Sequence, residues 1–446
     1  MEQIAKYLTG ESFVEGKVNN LRAERPFFFY WYNGKKALLI MGQIIAGGEQ
    51  FETHIEADYR GEILQKGPDS GMVDAFGRAR VSEPLTLFDS TLRYTKRADL
   101  WFEATTGGGA VNYLTNESCL ILSTTTASGD TVLRRSKRNL PYEPGKSMML
   151  MQSFRGSTPI AGLIQEVGLF NDDNGIMLRA SGTTIQFVIR SKASGSVMEN
   201  TINQASWNIN TLSNLDFSKI NILIADLEWL GSGRVRMGFV IDGEIIYCHE
   251  FNHANNQDTV YMTTATLPLS YRIHNSSSIA SSGTLKEIAS TVISEGGYEP
   301  KGPIFTGGAG IAGVKSTTSE TLFAAIRMAS GRTDNVIMPA QVDVAVDGNA
   351  IAKWRLYLNP TVSGVWTAAE NGRGNVEVMA SGTFSDGTII GTGLLSGQSN
   401  NAFSPESALA LSLGKDANGN SDVLMLTVQC ETAMKVTGQI GWRELY

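Results

Sequence analysis

Val235-Arg236-Met237-Gly238-Phe239-Val240-Ile241, then Asp242-Gly243, then Glu244-Ile245-Ile246-Tyr247-Cys248-His249: this stretch decides the fold. Val235, Met237, Phe239 and Ile241 are apolar at every second position, the period of a strand that buries one face. Asp-Gly tolerates the positive φ angles of a type I′ turn, whose twist matches the flanking strands, so the chain is expected to return through Ile245, Tyr247 and His249 as a β-hairpin. A second hairpin is expected from Ile176 to Arg190. There Ile185, Phe187 and Ile189 share one face, and Ser181-Gly182-Thr183-Thr184 supply the turn.

Working outward, strand signals are densest from Val73 to about Glu299: Leu120–Thr126, Ser147–Phe154, Leu163–Phe170, the two hairpins, Ile220–Trp229 and Tyr261–His274. Ile220–Trp229 is apolar on both faces and reads as a central strand. Gly296-Gly297-Tyr298-Glu299-Pro300-Lys301-Gly302-Pro303, followed by Gly307-Gly308-Ala309-Gly310, breaks the pattern and marks a domain boundary. Strand signals resume at Thr321–Met328, Gln341–Val346, Ala352–Asn359, Asn375–Ala380, Asp422–Cys430 and Lys435–Trp442. Short strands without long helical periodicity predict a mainly β protein of antiparallel β-sandwich domains in tandem, jelly-roll or lectin-like. The expected domains are a small N-terminal anchoring or oligomerisation region (1–72), a central sandwich (73–300) and a C-terminal sandwich (301–446). Phe27–Tyr32 and Ala37–Ile45 read as a hairpin around Asn33-Gly34. A transmembrane helix is not expected there, because the apolar run is cut short of the roughly 18–20 residues needed to span a bilayer.

The 446 residues exceed what one core usually organises, and 47 glycines suit many turns. A net charge of −7, from 37 basic against 44 acidic residues, offers no basic excess for phosphates, so no nucleic-acid partner is expected. Cys119, Cys248 and Cys430 lack C-x-x-C spacing and read as small buried hydrophobes. Met1 to Lys6 lack the basic and apolar segments of a signal peptide, which points to folding in a cytoplasm.

Several motifs invite a chemical reading. His249-Glu250-Phe251-Asn252-His253 matches H-E-x-x-H, which in zinc peptidases places two imidazoles on one helix face. Here it begins inside a strand, where the two rings would stand about 13 Å apart, and Asn252, Asn255 and Asn256 favour a loop. Pro144-Gly145-Lys146-Ser147 resembles the end of a phosphate-binding loop, but Leu140 stands where the motif needs glycine. Gly107-Gly108-Gly109 reads as a turn. Asp416-x-Asn418-x-Asn420-x-Asp422 and Asn171-Asp172-Asp173-Asn174-Gly175 space oxygens as calcium loops do, yet they lack the bidentate Glu and suit ordinary Asx turns. Asp226 and Glu228, two residues apart, share a strand face at a separation glycoside hydrolysis can use, and suit an ordinary solvated face equally well. The four histidines, His54, His249, His253 and His274, yield no Ser-His-Asp set. Trp207, Trp229, Trp354 and Trp366 are candidates for stacking on sugar rings, although sandwich cores also use large aromatics. No catalytic, cofactor-binding or metal-binding residue is assigned, and no cofactor is expected.

One resemblance joins scattered segments. Val73-Asp74-Ala75-Phe76-Gly77-Arg78-Ala79-Arg80-Val81-Ser82 is followed by Leu87-Phe88-Asp89-Ser90. Trp229-Leu230-Gly231-x-Gly233-Arg234-Val235-Arg236-x-Gly238-Phe239 comes next, then His253-Ala254-Asn255, Leu267-Pro268-Leu269 and Ser294-Glu295-Gly296-Gly297-Tyr298. As a set, over roughly residues 73–300, these resemble virion structural proteins of tailed bacteriophages. The resemblance implies a non-enzymatic virion component, such as a head decoration or fibre or a tail fibre-like protein, assembled in the host cytoplasm. The implied partners are other capsid or tail proteins and further copies of the chain, as a homo-oligomer that by analogy with projecting fibres would be a trimer. The alternative is a carbohydrate-binding receptor-recognition protein of the particle, with a host-surface glycan as partner; no membrane insertion is expected.

Overall fold

The computed structural model describes residues 83–446 apart from Pro300, Ala312, Val314, Asn349, Ala350, Glu370, Asn371, Gly397, Phe403, Ser404 and Tyr446; within 1–82 it describes the backbone of seven short strands. The chain divides into two units, Met1–Ser82 and Glu83–Tyr446. In the first, Phe28–Tyr32 pairs with Lys35–Leu39, from Phe28 opposite Leu39 to Tyr32 opposite Lys35, so the second arm of that hairpin begins at Lys35. Val14–Glu15 adds to this pair, and Ile44–Ala46 with Glu49–Phe51 and Glu56–Ala57 with Ile63–Leu64 form two further two-stranded pairs; His54 and the Val73–Ser82 segment lie outside the described residues.

The second unit holds antiparallel β-sandwiches. An eight-stranded sheet runs Ala110–Leu114, Cys119–Ser123, Thr284–Ser294, Met148–Arg155, Ile220–Leu227, Val235–Ile241 and Glu244–Phe251, with Leu85–Thr91 also paired to Thr284–Ser294. A seven-stranded sheet runs Met198–Asn203, Thr184–Ser191, Gly175–Ser181, Leu163–Phe170, Leu269–Asn275, Thr131–Ser136 and Trp101–Thr106. Side chains alternate, so one face of each sheet enters a shared core: Leu150, Leu223, Met237 and Phe239 from the first, Val167, Leu178, Phe187 and Tyr271 from the second. Ile220–Leu227 lies inside its sheet, between Met148–Arg155 and Val235–Ile241. A five-stranded and a six-stranded sheet build the C-terminal sandwich over a separate core that includes Phe323, Val342, Leu426 and Trp442. Among the described residues, no helix is long and apolar enough to cross a membrane.

Both hairpins read from the sequence are present. Asp242 and Gly243 have φ of 53° and 82°, the type I′ combination, and join Ile241 to Glu244. In the other, Ala180, Leu178 and Ile176 stand opposite Ile185, Phe187 and Ile189. The first hairpin holds a bulge: Met237 faces His249, but Gly238 faces Tyr247. The close approach requires glycine, because a Cβ on Gly238 would meet the Ile246 carbonyl oxygen at 2.0 Å. Gly238→Val is therefore expected to destabilise by about 2 kcal/mol or more, lowering the melting temperature by roughly 5 °C; an unchanged calorimetric melt would contradict this account.

The edge strand Glu244–Phe251 is covered by Ser206–Leu212. Amides of Ile209 and Asn210 donate to the Cys248 carbonyl at 3.0 Å. Asn208 closes the rest: its side chain donates to Glu250 O at 3.0 Å and accepts from Glu250 N at 2.9 Å. Covering an edge in this way removes a template for unwanted strand pairing.

The two sandwiches of this unit interlock. Arg138 donates to the carbonyls of Leu409 and Ala410 (2.9 and 2.6 Å), the unsatisfied end of the helix Pro405–Ala410. Asn139 donates to Asp334 O at 2.7 Å, and Lys415 N to Lys137 O at 2.9 Å. Val336, Met338, Ala408 and Leu409 pack into the same hydrophobic cluster as Leu140 and Tyr142.

Candidate functional site

The outward face of the seven-stranded sheet carries charge where alternation would allow mere solvation. Along Leu163–Phe170, Val167 and Leu169 point into the main core, so Glu166 points to the opposite face. Register sets Arg179 and Arg272 on either side of it and places Arg190 opposite Glu199. Arg179 Nε donates to Glu166 at 2.8 Å, Arg272 closes on the other oxygen, and Arg190 stands 3.6 Å away. Arg179 also forks onto both oxygens of Glu199 at 2.7 Å, while Arg190 Nε reaches Glu199 at 3.0 Å.

Glu166 has no exposed surface. Burial works against its ionisation, but Arg272 and Arg179 overcome that and hold the carboxyl below its ordinary value. Glu199 is pushed down to about 2, chiefly by the Arg179 hydrogen bonds. Beneath the guanidinium groups lies an apolar patch of Phe170, Met177 and Val188, with the Arg190 and Arg272 guanidiniums 5.7 and 5.9 Å from the Phe170 ring.

Where this network meets the sheet edge, a recess of about 500 Å³ opens between Met198–Asn203 and the chain following Phe251. Glu199, Asn200, Asp258, Met198, Val260 and His253 help to line it. The chain turns there at Asn255, with φ of 60° and Asn256 N donating to His253 O at 3.0 Å. His253 is only 3 % exposed and stacks on Tyr261 with centroids 4.0 Å apart. Its Nδ1 lies 2.7 Å from the Gly233 carbonyl, which can only accept, so Nδ1 carries the proton. Burial holds the imidazole below its ordinary pKa and therefore neutral near pH 7, with Nε2 left as an acceptor.

The structure separates the H-E-x-x-H residues by role. His249 and Glu250 lie in a strand, not a helix, and His249 Nδ1 accepts from Asn208 N at 3.2 Å. The Phe251 ring lies 4.5 Å from that of His249 and 6.4 Å from that of His253. Among the described residues, no group of three or more His, Cys, Asp or Glu is placed to hold a metal ion.

The other motifs spend their polar atoms internally. Asp130 occupies the glycine turn, accepting from Gly108 N at 2.7 Å and Thr125 N at 2.9 Å. Pro144–Ser147 leads into the strand Met148–Arg155. Asn171 Oδ1 accepts from the amides of Asp173 and Asn174, while Asp172 pairs with Arg135 and Asp173 with Lys192. Asp416 Oδ1 likewise accepts from the amides of Asn418 and Asn420. Asp226 is held by Arg236 and Tyr247, and Glu228 lies beyond the strand end, exposed.

Trp207 is buried against Phe187, Trp229 donates to Met262 O at 3.1 Å, Trp354 packs on the C-terminal core, and Trp366 lies under Arg327. All three cysteines are buried and free, and burial pushes the Cys248 thiol up to about 12. Sequence reading missed Glu166, Glu199, Asn200 and Asp258. The available signal was a glutamate inside the apolar run Leu163–Phe170, with arginines in the two strands that follow.

No protein-family model and no curated protein matches the chain. Among solved structures it is similar to a protein of unknown function from Shewanella oneidensis MR-1, at 8% identity and a TM-score of 0.33, over 50% of this chain and 92% of that one. It is also similar to a glycosyl hydrolase family 16 protein from Mycobacterium smegmatis, at 11% identity and a TM-score of 0.34, over 47% of this chain and 100% of that one. Peanut lectin is a further likeness, at 11% identity and a TM-score of 0.30, over 48% of this chain and 98% of that one. The sandwich architecture itself rests on the strand pairings described above.

Proposed function

We propose that the chain is a non-enzymatic structural component of a tailed-phage particle, a head decoration or fibre or a tail fibre-like protein, working as a homo-oligomer among other capsid or tail proteins. The observation that carries this reading is the use made of the segments with the virion-protein resemblance: Phe88, Ser90, Trp229, Gly231, Gly233, Pro268 and Tyr298 lock the scaffold. Gly233 N donates to Trp229 O at 2.8 Å, Tyr261 N to Gly231 O at 3.0 Å, and Trp229 N to Tyr142 Oη at 3.2 Å. Phe88 packs edge-on against Trp101, whose indole donates to Ser90 Oγ at 2.9 Å. Phe170 N donates to Pro268 O at 2.9 Å. Tyr298 donates to Met338 Sδ at 3.1 Å, tying the central sandwich to the C-terminal one. Segments that unite sheets and sandwiches into one body suit a part that bears load and position.

The test is the fate of the chain in an infected lysate. Quantitative mass spectrometry of density-banded particles is expected to find it at a fixed ratio to the major capsid protein, and immunolabelling to place it on the head or the tail. Recovery only from the soluble fraction would sink the proposal.

A further inference from the structure

We propose that the recess beside His253 is a binding site for a hydroxyl-rich ligand, a sugar unit of one or two rings. This rests on the recess alone and not on the particle reading. Its volume of about 500 Å³ falls within the roughly 300–1,000 Å³ of small-molecule sites. Its polar lining mixes acceptors with groups that both donate and accept. Glu199 and Asp258 contribute carboxylates, Asn200 and Gln257 amides, and Ser191 and Thr259 hydroxyls.

Such a wall suits a ligand whose hydroxyls both donate and accept, and its two carboxylates disfavour phosphate or sulfate. The nearby guanidinium groups of Arg179 and Arg190 do not change this, because they are spent on Glu199. The same bonds weaken the pull on an organic cation, since they balance the Glu199 charge. They also fix the carboxylate, so little side-chain entropy is left to lose on binding. Met198 and Val260, 62 % and 41 % exposed, offer apolar surface for the C–H faces of a sugar ring. Tyr261 supplies an independent sign of a ligand: it lines the recess, is only 4 % exposed and stacks on His253, and its Oη is buried with no hydrogen-bond partner among the described residues.

The experiment is saturation-transfer NMR on the full chain with methyl glycosides of glucose, galactose, mannose and N-acetylglucosamine, each with tetramethylammonium chloride as a control. At least one glycoside is expected to bind with a Kd of about 1 mM. Asp258→Ala and Asn200→Ala should each weaken it by about tenfold, and Val260→Trp should abolish it by filling the recess. Asp258 and Asn200 lie at the surface edge, so their variants should melt within about 2 °C of the parent. Absence of transfer from every glycoside, binding that survives both alanine variants and Val260→Trp, or binding of tetramethylammonium instead would each overturn the assignment.

Discussion

Arg134→Leu will lower the melting temperature of the sandwich unit by roughly 10 °C, a loss of about 3–5 kcal/mol. Arg134 has no exposed surface and sits between the two sheets of the central sandwich. It bonds Glu287 across the sandwich, donates to Glu103 at 2.6 Å and to Lys96 O at 2.6 Å, and has its guanidinium 5.0 Å from the Trp101 ring. Removing it strands the fully buried Glu287, whose second oxygen already lacks a hydrogen-bond partner among the described residues. The double variant Arg134→Leu/Glu287→Leu should recover most of the loss, because two apolar side chains carry no stranded charge. If the double variant melts no higher than the single one, lost packing and not uncompensated charge explains the effect.

The same glutamate gives the pH dependence a sign. Burial pushes Glu287 up to about 7 despite the opposing pull of Arg134. The folded state therefore holds that proton more tightly than the unfolded chain, whose carboxyl titrates near 4.5. This contribution is fully present below about pH 4.5 and is lost as pH rises through 7, a difference of about 3 kcal/mol. Thermal melts between pH 5 and 8 should fall with pH in the parent and flatten in Glu287→Gln; parallel curves would refute the linkage.

Glu166→Gln should produce a loss of similar size for a different reason. Here the stranded charges are Arg179, Arg190 and Arg272, with Glu199 left to balance them. About 3–5 kcal/mol is expected, read as a drop in urea midpoint at pH 7. The depressed carboxyls of Glu166 and Glu199 contribute stability above the unfolded value of 4.5, and lose it as pH falls toward the folded value, about 2 for Glu199. The acid limb should accordingly be shallower in Glu166→Gln than in the parent. An acid limb of equal steepness would show that Glu166 does not anchor the network.

Much of the fold was legible because strands announce themselves locally. Leu163–Phe170 and Thr321–Met328 begin and end where apolar alternation does, and Asp242-Gly243 turns where its φ preferences direct. Strand signals run over Tyr261–His274, but the strand itself is Leu269–Asn275; Tyr261, Met262, Ala265 and Leu267 ahead of it are buried without a continuous ladder. Apolar content reports burial there, but a ladder also needs a neighbouring strand in register. The bulge at Gly238 was illegible for a related reason, since it depends on where the Ile246 carbonyl lies.

The sequence by itself determined the element type, the two hairpin turns and the face of each strand that enters the core. These follow from backbone sterics and from the period-two placement of apolar side chains, which act over a few residues. Tertiary structure alone decided that Glu166 would be ringed by arginines from other strands, and that Glu199 would share a recess with His253. Such encounters depend on strand order and register, which set distances between residues far apart in the chain and which local patterning does not encode.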